Sequence, residues 1–247
     1  MSGRQKILLA VFLFMTMIIL ILDNLFPGDS PVYYIKYGTV VSLFVVALAI
    51  RKRYREQVIM NLALFFAAVG DFFLNFCNVN PALAVKVVPF GMAGFTLSYL
   101  LLIAAWLKNF KPGVWELVAA IPVLGVYIPV FITLVPYVRG AMFYAAVLFG
   151  IVLCFMAWTS ISTLFGGYYS SKVSHRTALA GYLIFLSDIA VAFVLFHPAF
   201  AGTFVPWLEN IIWLTYIPAW TLIVTTIAEE DLVVPQKTYR RSYLPIR

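Results

Sequence analysis

Two aspartates stand in stretches otherwise fit for hydrocarbon: Asp71 in Ala67-Ala68-Val69-Gly70-Asp71 and Asp188 in Phe185-Leu186-Ser187-Asp188. An ionisable group inside a bilayer is costly, so each marks a candidate site unless it merely bonds a neighbouring Asn, Ser or carbonyl. Counted from the starts of their apolar runs at ~1.5 Å per residue, Asp71 lies about 21 Å and Asp188 about 17 Å along helices that run the same way. Two carboxyls at one depth could share a pocket, and the chemistry open to them is proton transfer, within a reaction or along a relay.

The neighbours of the two acids favour a pocket. Asn61, Ala68, Asp71, Asn75 and Asn78 fall on one helical face. Gly91, Gly94 and Ser98 form a small-residue face on the next helix, where backbones approach closely. Gly181, Asp188 and Ala192 share a face further on, and Glu209, Trp213, Tyr216 and Trp220 follow at i, i+4, i+7 and i+11. Lys36 opens its helix at the same level, where its long stem could reach an anion. Cys77 and Cys154 lie in separate apolar runs and suit packing rather than a disulfide.

The elements that must hold these residues are membrane spans. Of the 247 residues, 64% are hydrophobic and 11% charged, against ~25% charged in ordinary soluble domains. That excludes a disordered chain, a nucleic-acid-binding domain and a soluble single-core enzyme. Eight runs reach the ~20 apolar residues a spanning helix needs: 7–26, 33–50, 57–77, 87–107, 114–135, 140–165, 177–197 and 207–228. Pro and Gly punctuate the gaps, as in Phe26-Pro27-Gly28-Asp29 and Gly166-Gly167. The first run is too long for a typical signal peptide and lacks a small-x-small cleavage site, so it is expected to be retained.

Charge gives the expected orientation. With the N-terminus inside, fourteen of the seventeen Lys and Arg residues fall on the inner side and only Lys36, Lys86 and Arg139 on the outer. The expectation is an all-α bundle of eight spans, both termini cytoplasmic, in the plasma membrane of a bacterium. It forms one domain over 1–230 and a short basic tail over 231–247, the tail anchoring to anionic lipid. Glu229, Glu230 and Asp231 are expected to be a solvated helix end. There is no phosphate-cradling glycine loop and no cluster with metal-ligand spacing.

Gly70-Asp71, then Gly91-Met92-Ala93-Gly94-Phe95, then Gly181-Tyr182-Leu183-Ile184-Phe185-Leu186-Ser187-Asp188, in an eight-span layout, resemble the YhhN family, the lysoplasmalogenases. The resemblance runs from about Lys36 to Ile223. It implies hydrolysis of the vinyl ether bond of lysoplasmalogens, giving a fatty aldehyde and glycerophosphoethanolamine or glycerophosphocholine. It further implies Asp71 and Asp188 as acid and base, in either order, with no cofactor. Lys36 would hold the phosphate, and Asn75 and Ser187 would orient the carboxyls. Ser98, Tyr99, Glu209, Trp213, Tyr216 and Trp220 would complete the lysophospholipid site. The chain departs from the family pattern at Tyr99, where the family commonly has His, at Leu102 for a Tyr, and in Tyr216-Ile217-Pro218-Ala219-Trp220 for two tyrosines and a Gln.

Two other classes use the same residues. A proton-coupled or passive transporter of lipid or small solute would use the aspartates as a relay; no clear pair of inverted repeats or discontinuous helices stands out, but Pro122 and Pro218 could break helices. A non-catalytic lipid-binding protein would use Trp213, Tyr216 and Trp220 as an aromatic cage for a quaternary ammonium.

Overall fold

A computed structural model describes residues 2–108, 110 and 113–234. Lys111, Lys237, Arg240, Arg241 and Arg247, and with them most of the expected basic tail, lie outside the described residues.

The described chain forms α1 (Gly3–Leu25), α2 (Ser30–Ala49), α3 (Arg55–Asp71), α4 (Pro81–Trp106), α5 (Val114–Val118), α6 (Ile121–Leu134), α7 (Ala141–Ser162), α8 (Ser171–Phe196) and α9 (Pro206–Ile227). Eight segments are long and apolar enough to cross a membrane, with α5 and α6 sharing the segment Val114–Tyr137. No strand occurs among the described residues; one antiparallel bridge joins Tyr169 to Val233. The protein is an all-α, multi-pass membrane protein.

Local chemistry sets the helix starts. Ser2 and Gln5 form a reciprocal capping box on α1, satisfying amides that have no partner within the helix. Gln57 Oε1 accepts from the amides of Arg53 and Tyr54 at 2.7 and 3.0 Å at the head of α3. Proline occupies the first turn of α2, α6 and α9, where its missing N–H costs nothing.

Several boundaries differ from the sequence reading, and three of them bear on the site and its surroundings. The run 57–77 is not uniformly α-helical: α3 ends at Asp71 and a π-helical turn follows over Phe72–Phe76. The run 114–135 breaks after Val118, and α6 restarts with Pro122 in its first turn. The seventh span, α8, begins at Ser171, not 177, so Lys172 and Arg176 belong to its first turns rather than to a loop.

The centre of the bundle is α9, which packs on α8, α1, α3 and α2. In its apolar window 72% of residues are buried, against 17% for Val114–Tyr137, which lies at the periphery. The pair α3 and α4 is equally intimate, and glycine is the reason. A Cβ on Gly94 would stand 2.8 Å from the Gly70 nitrogen, and one on Gly91 would stand 2.5 Å from Leu74 Cγ.

The N-terminus, the α2–α3 and α7–α8 connections and the end of α9 meet at one end of the bundle. There Glu229 is not a solvated helix end. Its carboxylate accepts from Arg176 Nη1 at 2.8 Å and Gln5 Nε2 at 3.2 Å, and its carbonyl accepts from Gln57 Nε2 at 2.7 Å. Side chains from three helices, α1, α3 and α8, thus converge on one partly buried acid, and local sequence carries no sign of that. Glu230 is exposed, paired with Arg53 at 3.3 Å. Beside them Lys108 pairs with Glu56, which also accepts from Tyr168 at 3.0 Å. The bond to Glu56 pushes the Lys108 ammonium above its ordinary range.

Candidate functional site

At the opposite end the bundle opens into a cavity of about 810 Å³, lined by Asp71, Asp188, Lys36 and Glu209 among many apolar side chains. Two glycines in the left-handed region, Gly28 (φ 79°) and Gly202 (φ 74°), turn the rim loops that join α1 to α2 and α8 to α9. The walls are largely apolar, with Phe131 and Leu134 of α6, Val147 of α7, and Val191 and Leu195 of α8.

Asp71 and Asp188 reach this cavity at one depth even though their helices start earlier than the hydropathy runs. Counted from Arg55 and Ser171, they lie about 24 and 26 Å along parallel helices, at ~1.5 Å per residue. Asp71 is 2% exposed. Its Oδ1 accepts from Asn75 Nδ2 at 2.6 Å, and its Oδ2 accepts from the Tyr216 hydroxyl of α9. Asn75 sits one turn on, inside the π-helical segment, and still faces back to Asp71. Asp188 accepts from the Tyr99 hydroxyl of α4 at 2.6 Å on Oδ2. Phe95 packs between the two tyrosines, its ring centroid 6.0 Å from that of Tyr99 and 6.2 Å from that of Tyr216. The close passage of α4 over Gly70 brings the Phe95 ring there: a Cβ on Gly70 would meet that ring at 2.8 Å.

Nearer the rim, Lys36 is buried and anchored. Its Nζ donates to Asp23 Oδ1 at 2.7 Å and lies 3.6 Å from Glu209 Oε2. It also stands over the Trp213 ring at 4.7 Å and the Tyr33 ring at 5.4 Å. Trp213 Nε1 donates in turn to Glu209 Oε2 at 3.3 Å.

Most of the residues expected from sequence gather here. Lys36, Asn75, Asp71, Ser187, Asp188, Glu209, Trp213 and Tyr216 all line the cavity, and Tyr99 touches it through Asp188. Ser187 donates to the Ile212 carbonyl at 3.3 Å, tying α8 to α9. Ser98 lies elsewhere: its Oγ donates to the Ala63 carbonyl at 2.8 Å within the α3–α4 contact. Trp220 is wholly buried outside the lining, with its Nε1 unpartnered. Trp213, Tyr216 and Trp220 meet edge to face, at 87° and 76°, forming a ladder along α9 rather than an aromatic cage. The Trp213 face is already taken by Lys36.

Asp23 is the residue that sequence reasoning missed. It is 3% exposed in the last turns of α1 and leaves Oδ2 without a partner. Beside Asn24 and Pro27 it looks like a solvated helix end. The available signal was its position across the Pro27-Gly28 turn from Lys36, at matching depth in the next helix. Among the described residues no group of three or more His, Cys, Asp and Glu comes together as a metal site.

Chemically, the cavity offers two carboxyls held by tyrosine hydroxyls, an apolar chamber, and a pinned cation between two acids at the mouth. Fold and site together define a multi-pass membrane protein with a carboxylate pair in an intramembrane cavity. The model of the YhhN family matches residues 32–227, and the chain belongs to that family. No curated protein and no solved structure matches the chain.

Proposed function

We propose that the protein is a membrane-embedded hydrolase that cleaves the vinyl ether bond of lysoplasmalogens, releasing a fatty aldehyde and a glycerophospho-head group. The observation that carries this reading is the presence of Asp71 and Asp188 at one depth in one apolar cavity, each bonded by a tyrosine hydroxyl. Family membership supports it, and so does a largely apolar chamber suited to a single alkenyl chain.

Vinyl ether hydrolysis begins with a proton delivered to the β-carbon of the double bond, which leaves an oxocarbenium ion. Water then adds to the cationic carbon and loses a proton. The resulting hemiacetal collapses to the aldehyde and the free glycerol hydroxyl, so that one water is consumed and the protons balance. A carboxylic acid and a carboxylate can divide this work, as glycosidases divide it on a related cation. The hydrogen bonds favour Asp71 as the base, since both its oxygens accept, one of them from an amide N–H. Asp188, with one donor on Oδ2, is then the acid.

The test is to purify the protein in detergent, supply lysoplasmenyl-ethanolamine and its saturated alkyl ether analogue separately, and assay released aldehyde. Aldehyde is expected from the vinyl ether alone. Its rate should follow a bell-shaped pH profile, falling at low pH as the base is protonated and at high pH as the acid loses its proton. Asp71→Asn and Asp188→Asn should each abolish turnover in folded protein. Full activity in either variant would eliminate the two-carboxyl mechanism, and uptake of lipid or solute into vesicles without product would favour transport.

A further inference from the structure

The mouth of the cavity carries more negative than positive charge. Asp23 and Glu209 face one lysine, and the three residues are not equally bound. Lys36 is pinned to Asp23 at 2.7 Å but stands 3.6 Å from Glu209, beyond hydrogen-bond distance. Lys36 therefore stays anchored if Glu209 finds another cation. Glu209 is half-buried, lines the cavity, and has its carboxylate oriented by Trp213 Nε1. Such a group accepts hydrogen bonds and offers none.

The spacing along α9 suits a head group. Glu209 and Tyr216 are seven residues apart on one face, about 10 Å at ~1.5 Å per residue, and Tyr216 holds Asp71. In a lysophospholipid the sn-1 ether oxygen and the head-group nitrogen are separated by nine covalent bonds, about 11 Å extended at bond lengths of roughly 1.5 Å. A lipid whose ether lies at the carboxyl pair brings its amine to Glu209 and its phosphate past Lys36. The loose contact between Lys36 and Glu209 is then exchanged for two closer ones, phosphate with Lys36 and ammonium with Glu209.

We propose that Glu209 is the head-group selector of this site and that it favours a primary ammonium, the ethanolamine type, over a quaternary one. The inference rests on the reading of the cavity as a lysophospholipid site. The chemistry of selection is direct. A primary ammonium donates N–H bonds to a carboxylate, whereas a trimethylammonium has none to donate and is held best by aromatic faces. Here Lys36 stands over the faces of both Trp213 and Tyr33, and the Tyr216 hydroxyl is turned to Asp71, so these three rings are engaged before a head group arrives.

Binding is measured on the purified protein with saturated 1-O-alkyl lysophospholipids, which have no vinyl ether to cleave, by tryptophan fluorescence in detergent. The head groups are ethanolamine, N-methyl-, N,N-dimethylethanolamine and choline. Affinity is expected to fall with methylation, with at least about a tenfold weaker Kd for choline, the size of a lost charge-assisted hydrogen bond. Glu209→Gln should flatten the series by weakening ethanolamine binding selectively. Equal Kd values for ethanolamine and choline in the unaltered protein, an undiminished preference in Glu209→Gln, or no binding of any member would overturn the proposal. If Glu209→Gln does not fold, the methylation series on the unaltered protein decides. Because nothing is hydrolysed, the result is independent of aldehyde release. Sorting of head groups by a protein that yields no aldehyde would refute the hydrolase and leave the selector standing.

Discussion

Asp71 and Asp188 are chemically alike and differently held, and the difference lies in single hydrogen bonds. Asp71 accepts from both an amide and a phenol, Asp188 from a phenol. Removing one phenol tests each carboxyl separately. Tyr99→Phe is expected to lower kcat at least about tenfold with little change in KM, since hydrogen bonds to charged groups contribute about 1.5–3 kcal/mol. Tyr216→Phe should do less, because Asn75 still holds Asp71. Steady-state aldehyde release in the two variants checks the order; a larger loss in Tyr216→Phe would reverse the weighting. The position where the family commonly has His is thus filled here by a side chain that touches a carboxyl directly. Sequence alone marked Tyr99 by its place in the pattern, not by its partner.

At the scale of elements, the site depends on how closely α3 and α4 approach. Gly70, Gly91 and Gly94 let the backbones meet, and that contact sets where Phe95 and Tyr99 point. Gly94→Ala is expected to destabilise the protein by about 1–3 kcal/mol, as overpacking does, read as a lower thermal midpoint in detergent. The clash is with backbone, which cannot rotate away as a side chain tip can. The same stripe could be read in the sequence as either packing or pocket. The distances to Gly70 and Leu74 assign it to packing, and Ser98 with it. The π-helical turn after Asp71 had no signal in hydropathy, because a run of apolar residues reads the same whichever way its amides pair.

At the scale of the molecule, polar networks divide the bundle into two ends. One end is closed by Glu229, Arg176, Gln5 and Gln57. The other opens through the cavity mouth at Lys36 and Glu209. From the distribution of basic residues the closed end is expected on the inside of the membrane. With Cys77 and Cys154 replaced, a cysteine at exposed Lys172 should react with a thiol reagent only from the cytoplasmic side. One at exposed Arg139 should react from the opposite side. Labelling in the reverse order would invert the topology and place the cavity mouth in the cytoplasm.

What the sequence determined by itself follows from demands that act along the chain. Hydrocarbon needs ~20 apolar residues per crossing, so the number of spans could be counted, and an acid within such a run stands out however the helices pack. The matching depths of Asp71 and Asp188 needed only the rise per residue. What the tertiary structure decided are the partners across helices: Asp23 for Lys36, Tyr99 for Asp188, Tyr216 for Asp71, and Arg176 for Glu229. Each depends on the rotation of a helix about its axis and on the separation from its neighbour. Those two quantities are set jointly by contacts such as Gly94 against Gly70, between residues distant in sequence, and no local pattern encodes them.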